Sequence, residues 1–178
     1  YDFPIFFFPK FSHPDPTVKR KSGLLAPSFT NSNTLGTGFG VPYFWNLGND
    51  RDLTISPKLY LNENPLVLAE YRQDFKNSFL VVDAGYTQGY KKTDSKKTEG
   101  GRAHFFTKFT TKLIDEKNKT SDLKITSEKV SNDTYLKVYD VDTLLIEKSQ
   151  SVLENSIDYS YQNKDFFLTF SPTMYEDT

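Results

Sequence analysis

Reactive side chains in this chain are few and poorly spaced for joint chemistry. The two histidines, His13 and His104, are far too distant in sequence to offer the H-x-x-x-H spacing of a metal site. His13 lies in a proline-rich turn and His104 at a strand start, so both read as structural or solvated. Serines are plentiful, yet none stands in G-x-S-x-G. Asp133, Asp140 and Asp142 fall in one loop. Without D-x-D-x-D-G spacing they read as turn-forming carboxylates rather than Ca²⁺ ligands. Lys91, Lys92, Lys96 and Lys97 form a basic run in a long loop, where a solvated face is the expectation. There is no cysteine, hence no disulfide or thiolate metal site in these 178 residues. The expectation is therefore no catalytic residue, no metal and no cofactor.

Proline supplies a different chemistry, the removal of a hydrogen-bond donor. Pro4-Ile-Phe-Phe-Phe-Pro9 leads through a proline-rich stretch to Pro27, and Gly40-Val-Pro42-Tyr-Phe-Trp45 follows. These prolines stand inside segments that otherwise read as strands. Proline has no N–H for a ladder, so it is confined to sheet edges, first strand positions and bulges. A chain that repeats this in two successive apolar strands weakens their pairing.

The elements that hold these prolines are strands from end to end. Val, Ile, Thr, Tyr and Phe recur with period two between clusters of Asn, Asp, Gly, Ser and Lys. Leu53, Ile55, Leu59 and Leu61 oppose Asp52, Thr54, Ser56 and Lys58. Phe105, Phe109 and Leu113 oppose His104, Lys108 and Lys112. Leu123 and Ile125 form a further apolar face, as do Ile157, Tyr159 and Tyr161, and Phe166, Leu168 and Phe170. Turn residues cut the chain at 31–35, 46–51, 62–65, 75–78, 88–102, 115–121, 131–142 and 162–165, which leaves about nine antiparallel strands and no convincing helix. The second, fourth, sixth and eighth cuts are short, and two of the others run to a dozen residues or more. Outer-membrane barrels show that alternation of short turns and long loops.

Composition fits the same class. No run approaches the roughly 18 apolar residues of a transmembrane helix. A transmembrane β-barrel needs only about 9 to 11 residues per strand, apolar outward and polar inward, so a mean hydropathy of -0.57 does not count against it. Sixteen Phe, eleven Tyr and one Trp would supply aromatic girdles. With 22 basic and 23 acidic residues the net charge is -1, which gives no footprint for nucleic acid. The opening Tyr1-Asp-Phe-Pro-Ile, with no initiator Met and no leader pattern, reads as the middle of a strand in a longer protein.

The ordered strings Pro4-Ile-Phe-Phe-Phe-Pro9, Lys19-Arg-Lys-Ser-Gly-Leu-Leu-Ala-Pro27, Val41-Pro-Tyr-Phe-Trp45, Asp52-Leu-Thr-Ile-Ser-Pro57, Glu70-Tyr-Arg72 and Ser131-Asn-Asp-Thr-Tyr-Leu-Lys-Val-Tyr-Asp140 resemble the LptD family of outer-membrane lipopolysaccharide-assembly proteins. The resemblance implies the end of a periplasmic β-jellyroll at 1–22, followed at 23–178 by about nine antiparallel strands of a large, here incomplete, transmembrane barrel. It places the first strand near 24–30 and the second near 38–47. It makes Pro27 and Pro42 the prolines of a lateral gate, and Ile5, Phe6, Phe7 and Phe8 part of a lipid path. It implies lipopolysaccharide and outer-membrane lipid as partners, with an LptE-like lipoprotein plug and an LptA-like periplasmic bridge.

Two other architectures share the strands: a soluble carbohydrate-binding β-sandwich and a generic porin-like barrel. In a barrel Leu53, Ile55, Phe105, Phe109 and Leu168 face lipid, with Phe166 and Phe170 beside Leu168. In a sandwich they are buried between two sheets.

Overall fold

The computed structural model describes residues 20–88, 100–147 and 149–177. Within them, twelve strand segments make a single antiparallel sheet. In chain order they are β1 (Gly23–Leu24), β2 (Ser28–Ser32), β3 (Gly36–Gly40), β4 (Tyr43–Asn46), β5 (Arg51–Tyr60), β6 (Leu66–Asp74), β7 (Ser78–Thr87), β8 (Arg102–Glu116), β9 (Lys119–Val130), β10 (Val152–Asn163), β11 (Phe167–Phe170) and β12 (Thr173–Asp177). One helical turn, α1 (Tyr135–Val138), lies between β9 and β10. It corrects the expectation of no helix.

Twelve segments reduce to nine continuous runs. Both β1 and β2 pair with the run formed by β3 and β4, which pairs as a unit with β5, while β11 and β12 both pair with β10. Each interruption carries a proline: Pro27, Pro42 and Pro172. The sheet is open, with the first and ninth runs at its two edges.

Period-two patterning divides the sheet into two faces. Registers carry the polar face from Asp52 to Arg72 and Val81, and from Glu70 through Asp83 and Phe106 to Glu128. It continues from Lys124 to Asp158, whose charges lie 3.5 Å apart. The opposite face is apolar: Leu53 lies beside Tyr71 and Val82, Phe109 beside Leu80 and Ile125, and Ile125 beside Ile157. No second sheet covers it among the described residues, and Leu59 stays 54 % exposed, Phe105 49 % and Phe170 62 %. This is the apolar-outward arrangement of a barrel wall and not the buried interlayer of a sandwich.

The buried apolar core lies on the polar face. The β9–β10 segment folds back there and packs Tyr135, Leu136, Tyr139, Val141 and Ile146 on Tyr60, Leu66, Phe106 and Leu153. The loop cut placed at 131–142 thus ends too early, because the chain does not resume a strand until Val152. Leu144, Leu145 and Ile146 imitate a strand start, and Ile146 is held instead by core packing.

Candidate functional site

The first three runs carry a proline every fifteen residues, at Pro27, Pro42 and Pro57. Antiparallel pairing turns successive residues' backbone groups to alternate neighbours, so the direction of each lost donor follows from the ladder phase. Leu47 N–H donates to Arg51 O at 3.2 Å and Leu61 N–H to Thr37 O at 3.1 Å. Odd-numbered residues of β5 therefore bond toward the second run, and even-numbered residues of β3 and β4 toward the first. Leu25 N–H accordingly donates to Pro42 O at 2.8 Å. An N–H at position 42 would return that bond, and proline has none. In the same phase Ser28 bonds toward Gly40 across the first hairpin, which turns position 27 to the free edge. Pro27 therefore withholds its donor at the edge, Pro42 at the seam between the first and second runs, and Pro57 at the seam between the second and third.

The register confirms a local irregularity. It pairs Leu24 with Tyr43 below the break and Ser28 with Gly40 above it, so three residues of the first run face two of the second. That is a one-residue bulge. Above it, β3 has Gly36, Gly38 and Gly40 on the polar face, and these contribute no side chains to packing. On the apolar face Phe29 and Phe39 meet with ring centroids 5.0 Å apart.

Below the break the chain is clamped. Asp52, 2 % exposed, accepts from Arg20 Nη1 at 3.0 Å and Arg72 Nε at 2.8 Å. Asn46 N–H donates to Ser22 Oγ at 2.9 Å, and Asn46 Nδ2 to Arg20 O at 2.8 Å. Residues 20–22 are thereby fastened to the second and third runs. Charge-assisted bonds of this kind contribute about 1.5–3 kcal/mol. In Asp52→Asn the Asn46 amide is expected to exchange with solvent at least tenfold faster, while the amides within β6 keep their rates. Equal rates in both proteins would remove the clamp.

A second polar cluster lies under the β9–β10 segment. His104 Nε2 meets Asp83 Oδ1 at 2.5 Å, its Nδ1 meets Tyr135 Oη at 3.1 Å, and its ring stacks on Phe106 at 4.6 Å. Gly85, paired with His104, makes room for this: a Cβ there would lie 2.7 Å from the Tyr135 hydroxyl oxygen. Burial, and then the charge of Asp83, push the Tyr135 hydroxyl well above its ordinary pKa. At the segment's other end, Glu128 accepts from Glu154 N–H at 2.8 Å and Gln150 Nε2 at 3.1 Å. His104 is thus a structural group, as its sequence setting suggests, but sequence reasoning missed its partners. The available signal was a glycine inside an otherwise regular strand, at Gly85.

Elsewhere on the polar face a hollow of about 680 Å³ lies between Phe75, Phe79, Lys112, Asp122, Lys124 and Asp158. Among the described residues no group of three or more His, Asp or Glu side chains could hold a metal ion, and no helix is long and apolar enough to cross a membrane. Asp133, Asp140 and Asp142 are exposed in the β9–β10 segment and do not converge. Ile5, Phe6, Phe7, Phe8, His13, Lys91, Lys92, Lys96 and Lys97 lie outside the described residues.

No protein-family model matches the chain. Curated relatives do. The LPS-assembly protein LptD of Nitrosococcus oceani is 30% identical over 170 residues, 91% of this chain and 20% of the relative. That of Legionella pneumophila (strain Paris) is 24% identical over 175 residues, 93% of this chain and 21% of the relative. That of Shewanella oneidensis is 38% identical over 71 residues, 40% of this chain and 9% of the relative. The chain spans about a fifth of the length of the first two.

Proposed function

We propose, on the premise that this chain belongs to the LptD family, that it forms part of an outer-membrane barrel that assembles lipopolysaccharide into the outer leaflet. The observation that carries this reading is the pair of donors withheld at Pro27 and Pro42, at the edge and first seam of a sheet whose other face is apolar and uncovered. In hydrocarbon a backbone group without a partner costs several kcal/mol, so barrel walls pair every strand. A barrel that must release lipid sideways needs a seam that is cheaper to part, and proline makes one without adding polar side chains to the lipid face.

In this reading Pro27 and Pro42 are the lateral gate. Residues 1–22 end a periplasmic jellyroll, in which Ile5, Phe6, Phe7 and Phe8 shelter acyl chains, and 23–178 begin the barrel. Each CH₂ kept from water is worth about 0.8 kcal/mol, which is why a lipid with several chains needs an apolar path. The clamp at Asp52 joins residues 20–22 to the sheet, directly before the first barrel run. An LptA-like bridge delivers lipid to the jellyroll, and an LptE-like lipoprotein occupies the polar side of the wall.

Depletion of the full-length protein in its own host, with labelling of newly made lipopolysaccharide at the cell surface, tests this directly. Surface arrival is expected to fail, with lipopolysaccharide retained inside. Normal arrival would overturn the proposal.

A further inference from the structure

We infer that the segment between β9 and β10 is a latch on the first hairpin: docked on the polar face, it holds the turn at Leu35, and with it the two runs that carry Pro27 and Pro42, in the closed wall. The inference rests on the gate reading for its purpose and on a buried cluster for its geometry. The turn between β2 and β3 is otherwise polar, Ser32-Asn33-Thr34 and then Gly36, with Ser32 Oγ accepting from Leu35 N–H at 3.4 Å. Leu35 is nevertheless 3 % exposed. It lies in one buried cluster with Tyr139, Val141 and Ile146, which come from far along the chain.

Tyr60 carries the contact between hairpin and segment. Its ring lies over Gly38, where a Cβ would sit 2.8 Å from it, and it meets the Tyr139 ring edge-on at 6.0 Å. The end of α1 shapes the surface that this ring meets. Val141 N–H donates to Leu136 O at 3.0 Å and Asp140 takes a φ of 50°, the wide closure of a helix C-terminus in which the residues at the two ends of the bond pack together. Leu136 and Val141 are accordingly both buried, and Lys58 Nζ on the third run donates to Asp140 O at 3.4 Å. Asn62 N–H donates to Leu35 O at 3.3 Å and Leu61 N–H to Thr37 O at 3.1 Å, so turn, third run and segment are joined at one place. The segment is docked by side-chain packing and not by strand pairing, so it can leave the polar face with every ladder intact. The hairpin turn, by contrast, cannot leave the third run without uncovering Leu35. Release of the segment is therefore the step that precedes parting of the wall at this end.

Amide hydrogen exchange on the full-length protein in detergent, with lipopolysaccharide surface labelling in cells, tests this. Gly85→Val acts where the segment meets the fifth and sixth runs, against His104 and Tyr135, and Tyr135→Ala acts from the segment itself. Each is expected to speed exchange at Leu61 and Asn62, the amides that bond the hairpin turn, roughly tenfold or more, with Leu47 unchanged. Leu35→Ala is expected to speed exchange at Tyr139 and Val141 by a similar factor, because coupling between two docked elements is reciprocal. Faster exchange at Val141 with Leu61 and Asn62 unmoved would overturn the latch, and so would Leu35→Ala with Tyr139 and Val141 unmoved. A disulfide from Gly36→Cys with Asn62→Cys, where a Cβ at 36 would lie 3.4 Å from that of Asn62, fixes the turn whether or not the segment is docked. Phe39→Cys with Leu59→Cys, positions in register, does the same without a side chain at the φ of 74° of Gly36. Either is expected to stop surface delivery until it is reduced, while Trp45→Cys with Leu53→Cys, at the other end of the same two runs, leaves delivery intact. Delivery that survives both locked turns overturns the latch even where the exchange effects hold. The gate reading fails separately, when replacement of Pro27 and Pro42 leaves delivery unmoved.

Discussion

Replacing Pro27 and Pro42 together by alanine is expected to slow surface delivery of lipopolysaccharide about 5- to 150-fold. Alanine at 42 gains an N–H aimed at Leu25, whose own N–H already reaches Pro42 O at 2.8 Å, so the second bond of that pair can form without moving either strand. Alanine at 27 gains one aimed at the free edge, where the strand that completes the barrel would lie. A restored backbone bond is worth about 0.5–1.5 kcal/mol in ordinary settings, so two give about 1–3 kcal/mol, and each 1.4 kcal/mol is tenfold. Hydrocarbon on one side raises the figure. Pro172 supplies the control. Ile157 N–H donates to Pro172 O at 3.2 Å, so this proline also withholds a return bond, but at the seam between the eighth and ninth runs. Pro172→Ala is expected to leave delivery unchanged. Equal slowing by Pro172→Ala would assign the effect to general stiffening of the sheet, and unchanged delivery in the double variant would sink the gate.

That contrast shows where local sequence stops being informative. Pro27 and Pro42 are visible as prolines in strands, and the two faces of β5 are visible as alternation, because both depend on neighbours one or two residues away. The turn cuts other than 131–142 match for the same reason: Asn, Asp, Gly and Pro mark reversals through their own backbone preferences. Which seam each proline weakens depends on register, which joins residues far apart in the chain, such as Val41 and Pro57. Pro57 therefore reads from sequence only as part of a family-like string. The β9–β10 segment fails differently. Its tyrosines and its apolar triplet at 144–146 have no period that separates strand from packed loop, and the contacts that decide the matter come from Tyr60, Gly85 and Phe106.

Tyr135→Ala is expected to release that segment from the polar face, with amide protection at Val138, Tyr139 and Val141 falling a hundredfold or more. Tyr135 is 1 % exposed, and its ring lies 5.5 Å from those of His104 and Tyr139. Truncating a buried aromatic of this size costs about 3–5 kcal/mol, and the loss also strips His104 Nδ1 of its partner, which costs about 1–3 kcal/mol more. Tyr135→Phe keeps the ring and loses only the hydroxyl, so its drop in protection is expected to be intermediate. The two variants also separate packing from ionisation. Because burial holds the Tyr135 hydroxyl above its ordinary 10.0, the docked state keeps a proton that the released state gives up. Docking is therefore fully present below about pH 10 and is lost as pH rises toward the raised value. In Tyr135→Phe that alkaline loss is expected to shrink to the part carried by Tyr60, whose hydroxyl burial under the same segment pushes up to about 12. Gly85→Val approaches the same contact from the sheet side. Its Cβ would crowd the His104 ring and the Tyr135 hydroxyl together, so it is expected to reproduce the release seen in Tyr135→Ala. Unchanged protection at Tyr139 and Val141 in both variants would mean that the segment is held by Leu136 and Ile146 instead of by the aromatic cluster.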